Sequence, residues 1–460
     1  MLPKQPTAFH LVGWVAIAFL MLFQSFAAQP TNAILAAESL VIAGAAILTF
    51  SRILPGSFWS PASIFLLVLA LFHLGLAPFW LLDIDPRLPR AEDYLWFYGI
   101  SGAFALQLSM WGMVAYTLAV TLRAHTRRHI SVPREPRSFV VTGRAYSRWG
   151  AVLLIGSVAW WFLLSVGAGG VGILFGSYSQ YLRATSSTSV DDIYYAIGVG
   201  LGLTLVARAD TVLSKAGLFC FLGFAFIAFF IGLRGEVLFP LAVGATVLAM
   251  RRRMPNGALT ILFLIIVLTV VNGAKQIRQV GISNADFDWA QASPLAALGE
   301  LGSSLRVVAT VVDWHHQLGE PFRMGETYVV TIARALESVF DPAARLPASM
   351  DFRLFNAEIM NRAGAIGGST AAEAYHNFGV IGVIVGMGLL GWLFGHFSSG
   401  PLSATQIAVY VCLAVPLFNH IRNSFVPVVP MTVVALGFVA LVVVVSGQRR
   451  ASVPSGPNEN

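Results

Sequence analysis

Charge is what this 460-residue sequence has least of. Only 11% of its residues are Asp, Glu, Lys or Arg, while 57% are hydrophobic and the mean hydropathy is +0.74. Soluble domains carry about 25% charged residues. The shortage excludes a water-soluble globular chain, because too little polar surface is left to coat one. Cysteine is nearly absent as well. Cys220 and Cys412 both lie inside apolar runs, which excludes a disulfide framework and any cysteine-based metal spacing. The alternating pattern of a transmembrane barrel is missing too. The formal charge of +7 comes without a soluble basic domain. That excludes nucleic acid as a partner and leaves the charge as a membrane-orientation signal.

What the sequence does have is long hydrophobic runs. They fall at 11–28, 33–51, 62–83, 96–122, 150–169, 193–207, 216–233, 236–250, 258–273, 378–397, 405–421 and 424–446. Most approach the roughly 17–25 residues that cross a bilayer. In lipid the backbone must satisfy its own hydrogen bonds, so such runs are helices. The expected fold is therefore an all-α polytopic membrane protein with about twelve transmembrane helices. The first run follows Lys4 without a small-residue cleavage site, so it is expected to be a retained helix.

The runs at 216–233 and 236–250 could form one helix, but Arg234 and Glu236 would then sit near the bilayer centre. Each would cost on the order of 3 kcal/mol there. The positive-inside rule decides the matter. With the N-terminus in the cytoplasm and the two runs separate, the basic segments all fall inside. They are 123–149 (Arg123, Arg127, Arg128, Arg134, Arg137, Arg144, Arg148), Arg251-Arg252-Arg253, and the tail with Arg449 and Arg450. The expected organisation is an N-terminal transmembrane bundle over 1–273, a periplasmic helical loop over 274–377, C-terminal transmembrane helices over 378–446 and a disordered cytoplasmic tail over 447–460. Within the loop, Leu295, Leu298, Leu301, Leu305, Val308 and Val312 recur at helical spacing after Ser293-Pro294. A second helix is expected over 327–340.

Three polar clusters fall on the outer face in this layout. Gly232-Leu233-Arg234-Gly235-Glu236 joins two spans. A helix-end snorkel or a local ion pair would explain it. So would an arginine fork aimed at phosphate oxygens, with Glu236 as a carboxylate for catalysis. The second cluster is Gly367-Gly368-Ser369-Thr370-Ala371-Ala372-Glu373-Ala374-Tyr375-His376-Asn377-Phe378-Gly379. Glu373, His376 and Asn377 are three and four apart, so a helix places them on one face. An ordinary polar helix end is the plain explanation. General-base chemistry by Glu373 or His376 is the functional one, with Tyr375 and Asn377 binding substrate. The third cluster is Asn419-His420-Ile421-Arg422-Asn423, where interface anchoring competes with substrate binding by His420 and Arg422. Arg278 is a further outer-face arginine. Arg306, Arg323, Arg334, Arg345, Arg353 and Arg362 carry no signal individually. His315 and His316 lack a further ligand at metal-binding spacing, so no metal and no cofactor are expected.

The Gly-x-Arg-Gly turn at 232–235, the long late loop and its exit sequence from Ala372 to Gly382 resemble the Wzy-type O-antigen polymerases, relatives of O-antigen ligase. The matching motifs lie at 232–240 and 368–395. The arginine-rich paired-loop pattern of some of these polymerases is not cleanly present. The resemblance implies a GT-C-like, inverting, metal-independent glycosyltransferase of the bacterial inner membrane. It would polymerise undecaprenyl-diphosphate-linked repeat units on the periplasmic face into O-antigen or exopolysaccharide. A chain-length regulator and membrane lipid would be its partners. An O-antigen ligase acting on lipid A–core is the near alternative. A flippase is the other, but it would carry ionisable residues within its spans, and here they gather at one face.

Overall fold

The computed structural model describes residues 8–26, 31–86, 91–126, 137–207 without 187 and 189, 211–255 without 253, 259, 293–340, 347 and 350–451. Among these residues there are helices and no strand. The N-terminal helices are α1 (Ala8–Phe26), α2 (Asn32–Ile53), α3 (Pro61–Leu74), α4 (Ala77–Leu82), α5 (Ala91–Tyr98), α6 (Ile100–Thr126) and α7 (Arg137–Gly169). Then come α8 (Tyr178–Thr185), α9 (Val190–Thr204), α10 (Val212–Ile231) and α11 (Arg234–Ala249). The later helices are α12 (Pro294–Gly302), α13 (Leu305–His316), α14 (Glu326–Phe340), α15 (Phe355–Ala363), α16 (Thr370–Ser398), α17 (Ala404–His420) and α18 (Val428–Ala451).

Among the described residues, seven helical stretches are long and apolar enough to cross a membrane, with shorter apolar helices at 9–24, 61–74 and 404–420. The expected all-helical polytopic architecture is therefore present. Apart from Leu259, the run expected at 258–273 lies outside the described residues, as do Arg278 and the tail residues 452–460. One of the seven stretches, Pro294–His316, falls in the segment expected to lie outside the membrane. It is built from α12 and α13. Ser293 starts it by accepting from the Leu295 amide at 3.2 Å, and Ser303 and Ser304 interrupt it.

The break expected at 232–235 is present. Gly232 takes a left-handed conformation (φ 102°), and its N–H closes α10 onto the Ala228 and Phe229 carbonyls. That conformation disfavours a side chain, which is why a glycine stands there. α11 then begins at Arg234.

Close helix approach holds the bundle together. Lipid tails are as apolar as leucine, so packing and internal hydrogen bonds drive association in a membrane. α16 runs along α6, and α7 packs on α9 and α10. At the first seam a Cβ on Gly391 would lie 2.3 Å from the Tyr116 carbonyl oxygen, so only glycine permits the contact. Aromatic rings fill the space beside it. Phe65 stacks on Phe394 at 4.3 Å and meets Phe418 edge-on at 5.2 Å. α12 packs on α3, α13 on α6 and α16, and α17 on α9, α11 and α18. This arrangement brings the ends of α3, α16 and α17 together, next to the helices α13, α14 and α15.

Candidate functional site at the start of α16

The chain enters α16 across the glycine pair Gly367-Gly368, with Gly367 at a left-handed φ of 87°. The Gly368 N–H donates to the Arg422 carbonyl at 2.8 Å, and a Cβ at 368 would sit 2.6 Å from the Asn423 carbonyl carbon. Ser369 caps the helix by accepting from the Ala372 amide at 3.3 Å, and His73 of α3 bonds its hydroxyl at 2.8 Å. Thr370 donates to the His420 carbonyl at 2.9 Å. Residues 370–377 therefore start from a fixed platform. Glu373, His376 and Asn377 are wholly buried, and Tyr375 nearly so.

The first turns do not run smoothly into the apolar length of α16. Phe378 (φ −137°, ψ 15°) and Gly379 (φ 63°, ψ −152°) leave the helical region. The break frees carbonyls that would otherwise be buried without donors. The Arg323 and Met324 amides fill the vacancy, donating to the His376 and Asn377 carbonyls at 3.0 and 2.9 Å. The segment between α13 and α14 is thereby locked onto the helix break.

Two polar networks diverge from this point. In the first, Glu373 accepts from the Thr327 hydroxyl at 2.9 Å, the Phe425 amide at 2.7 Å and His420 Nε2 at 3.2 Å. Asn377 Nδ2 donates to Thr327 Oγ1 and to the Glu373 carbonyl, both at 2.8 Å. A buried carboxylate with three donors is well satisfied and joins α14, α16 and α17.

The second network belongs to His376. Its Nε2 lies 3.0 Å from Glu358 Oε2, and its Nδ1 lies 3.0 Å from His315 Nε2. Glu358 Oε1 also accepts from Arg323 at 2.7 Å and Arg362 at 2.9 Å. Burial pushes the Glu358 carboxyl upward. The His376 hydrogen bond and charge, with the Arg323 guanidinium, outweigh that and hold it at about 2. Arg362 continues to Glu320 at 2.9 Å and lies over the Trp314 ring at 3.8 Å. The Tyr375 ring packs against His315 and Phe322.

The structure thus brings Glu373, Asn377 and His420 into one network and puts His376 in its neighbour. Arg422 stands half-buried at the lip, its guanidinium 5.8 Å from the centre of the Phe72 ring. Among the described residues, no carboxylate forms an ion pair with it. Phe72 in turn touches Phe239 of α11 at 5.7 Å. Arg234, at the head of α11, is buried and pairs with Glu300 at 2.9 Å. Glu236 follows in the first turn, where a negative charge complements the helix dipole. Sequence reasoning missed His315, Arg323, Glu358 and Arg362. Of these only the Glu358–Arg362 spacing of four carried a readable signal. Among the described residues, no group of three His, Cys, Asp or Glu side chains could hold a metal ion.

Fold and site together define a multi-span membrane protein with a buried, charged centre where a long inserted segment meets the break in α16. A sequence profile described as O-antigen polysaccharide polymerase Wzy matches residues 11–449. The chain belongs to that family, whose role is polysaccharide polymerisation. It is also 22% identical to Protein CapE of Staphylococcus aureus over 377 residues, covering 79% of each chain. No solved structure matches it.

Proposed function

We propose that this chain polymerises undecaprenyl-diphosphate-linked oligosaccharide repeat units on the periplasmic face of a bacterial inner membrane. The observation that carries this reading is Arg422. It is a cation without an ion-pair partner among the described residues, at the lip of the cluster that buries Glu373 and His376 in a chain of this family. A planar guanidinium matches two phosphate oxygens. Arg422 binds the donor diphosphate, with Arg234 and Arg278 as further candidates for that contact. Charge develops on the leaving diphosphate as the sugar–oxygen bond breaks, and a fixed cation stabilises it there.

The growing chain is the donor, and the newly arrived repeat unit is the acceptor. The acceptor hydroxyl oxygen bonds the anomeric carbon from the face opposite the diphosphate, which inverts the centre. The electron pair of the broken bond leaves on the diphosphate, and no metal is needed. The hydroxyl proton leaves toward the His376 network. Glu373, already holding three donors, positions this region. The same reading places the N- and C-termini in the cytoplasm and residues 274–377 outside, and gives the protein a chain-length regulator as partner.

The test is glycan from a deletion strain, resolved by size. Single repeat units on surface lipid are expected, because export and ligation continue without extension. A ladder of normal length would contradict the proposal. Long lipid-linked chains missing from the core would mark a ligase instead, and single units trapped on the cytoplasmic leaflet would mark a flippase.

A further inference from the structure

Four imidazole nitrogens in the second network leave little freedom in how protons are placed. His315 Nδ1 lies 2.8 Å from the Glu320 carbonyl oxygen, which only accepts, so a proton on Nδ1 is needed there. His376 Nε2 lies 3.0 Å from the Glu358 carboxylate, which Arg323 and Arg362 keep ionised, so a proton is needed there too. Arg323 Nε also approaches His376 Nε2, but at 3.4 Å this is the weaker contact. Between the rings, His376 Nδ1 and His315 Nε2 lie 3.0 Å apart and require one proton between them. Three protons on two imidazoles make the pair a monocation. In the arrangement seen, every contact is satisfied only when the pair has taken up one proton.

The other protonation state follows directly. With two protons, His376 still donates to Glu358 and His315 Nε2 donates to His376. The nitrogen left with a lone pair is His315 Nδ1. That is the outer end of the chain. His376 is wholly buried and Glu358 nearly so, whereas His315 is half-exposed beside the exposed residues 316–319.

We propose that His315 is the general base of the polymerisation, with His376 and Glu358 as positioning residues behind it. This rests on the polymerase function proposed above. The acceptor hydroxyl reaches His315 Nδ1 in the two-proton state. Its oxygen bonds the anomeric carbon, the bond to the diphosphate breaks with its electron pair, and the hydroxyl proton moves to Nδ1. The resulting cation is the state that the Glu320 carbonyl and Glu358 are placed to stabilise. The proton then leaves to solvent before the next unit arrives. The charged and titratable groups facing the pair are Glu320 and Arg323 from the segment after α13, Glu358 and Arg362 from α15, and Tyr375 from α16. His316 turns away, onto Phe104 of α6.

The experiment is a pH profile of polymer formation by the full-length protein in proteoliposomes, using a synthetic polyprenyl-diphosphate repeat unit. Wild type should lose kcat on the acid side with a single protonation. His315→Gln should lower kcat by about 100-fold or more and abolish that acid limb, with KM nearly unchanged. Its side-chain amide can still donate to His376, which preserves the hydrogen bond that ties residue 315 to α16. Glu358→Gln keeps a side chain of the same shape with one acceptor oxygen but removes the counter-charge. The cation then forms less readily, so the limb should move to lower pH. If His315→Gln does not fold, the Glu358→Gln limb decides alone. A wild-type limb in either variant, while wild type polymerises, would overturn the assignment of His315 and leave the polymerase function standing. No polymer from wild type would overturn both.

Discussion

At the scale of single residues, hydrogen-bond partners and not burial tell the two networks apart. Glu373 and His376 are close in sequence, yet they serve different networks. On a helix His376 points about 60° to one side of Glu373 and Asn377 about 40° to the other. That is enough for Glu373 and Asn377 to share Thr327 while His376 meets Glu358 and His315. The motif itself was legible in the sequence. Its partners were not, because His315 and Arg323 stand 61 and 53 positions away and reach it only through tertiary packing. Arg422 gives the sharpest test at this scale. Arg422→Ala should reduce polymerisation by at least about 100-fold, as expected when a preorganised charge on the transition state is lost. Arg422→Lys should recover little, because an ammonium does not reproduce the two-pronged contact. Thermal stability in detergent should stay near wild type in both, since among the described residues no carboxylate pairs with the guanidinium. Activity assays on membranes with matched protein levels check this, and full activity in Arg422→Ala would remove the residue from the mechanism.

At the scale of elements, the break in α16 organises the site. The apolar run was expected to begin at 378, and the helix does bend there. What hydropathy did not reveal is that residues 370–377 are already helical and buried by the inserted segment. α14 lies within one residue of its expected span, because its amphipathic pattern is strong. α12 and α13 were expected as a continuous helix, and the serines at 303–304 interrupt it. Gly379 occupies a backbone region that is essentially restricted to glycine, and a Cβ there would lie 3.0 Å from the Phe322 ring. Gly379→Ala should therefore cost on the order of 1–3 kcal/mol. It should also loosen the Arg323 and Met324 amides from their carbonyls and lower activity. Gly388, on the same helix, has open space around it, so Gly388→Ala should leave both properties near wild type. Melting temperatures of the two purified variants provide the comparison, and equal values would refute the role given to the break.

At the scale of the whole molecule, the proposed orientation rests on where the basic segments fall. The multi-span character was legible from composition alone, because a chain this poor in charge has no other stable solvent. The position of Pro294–His316 was not, since the same apolar length fits a spanning helix and a buried cap. Leu318 lies two residues past its end and is 65% exposed, so it reports the side of the membrane. On a background lacking Cys220 and Cys412, Leu318→Cys should react with a membrane-impermeant maleimide from the periplasmic side. Reaction from the cytoplasmic side alone would invert the site and remove its access to exported substrate.

Reconstitution tests polymerisation most directly. The purified protein is placed in proteoliposomes with a single lipid-linked repeat unit as the only glycan, and the products are resolved by size. A ladder of two, three and more units is expected, with one free polyprenyl diphosphate released per bond formed. Unchanged single units in the presence of folded protein, or transfer that occurs only when lipid A–core is added, would contradict polymerisation.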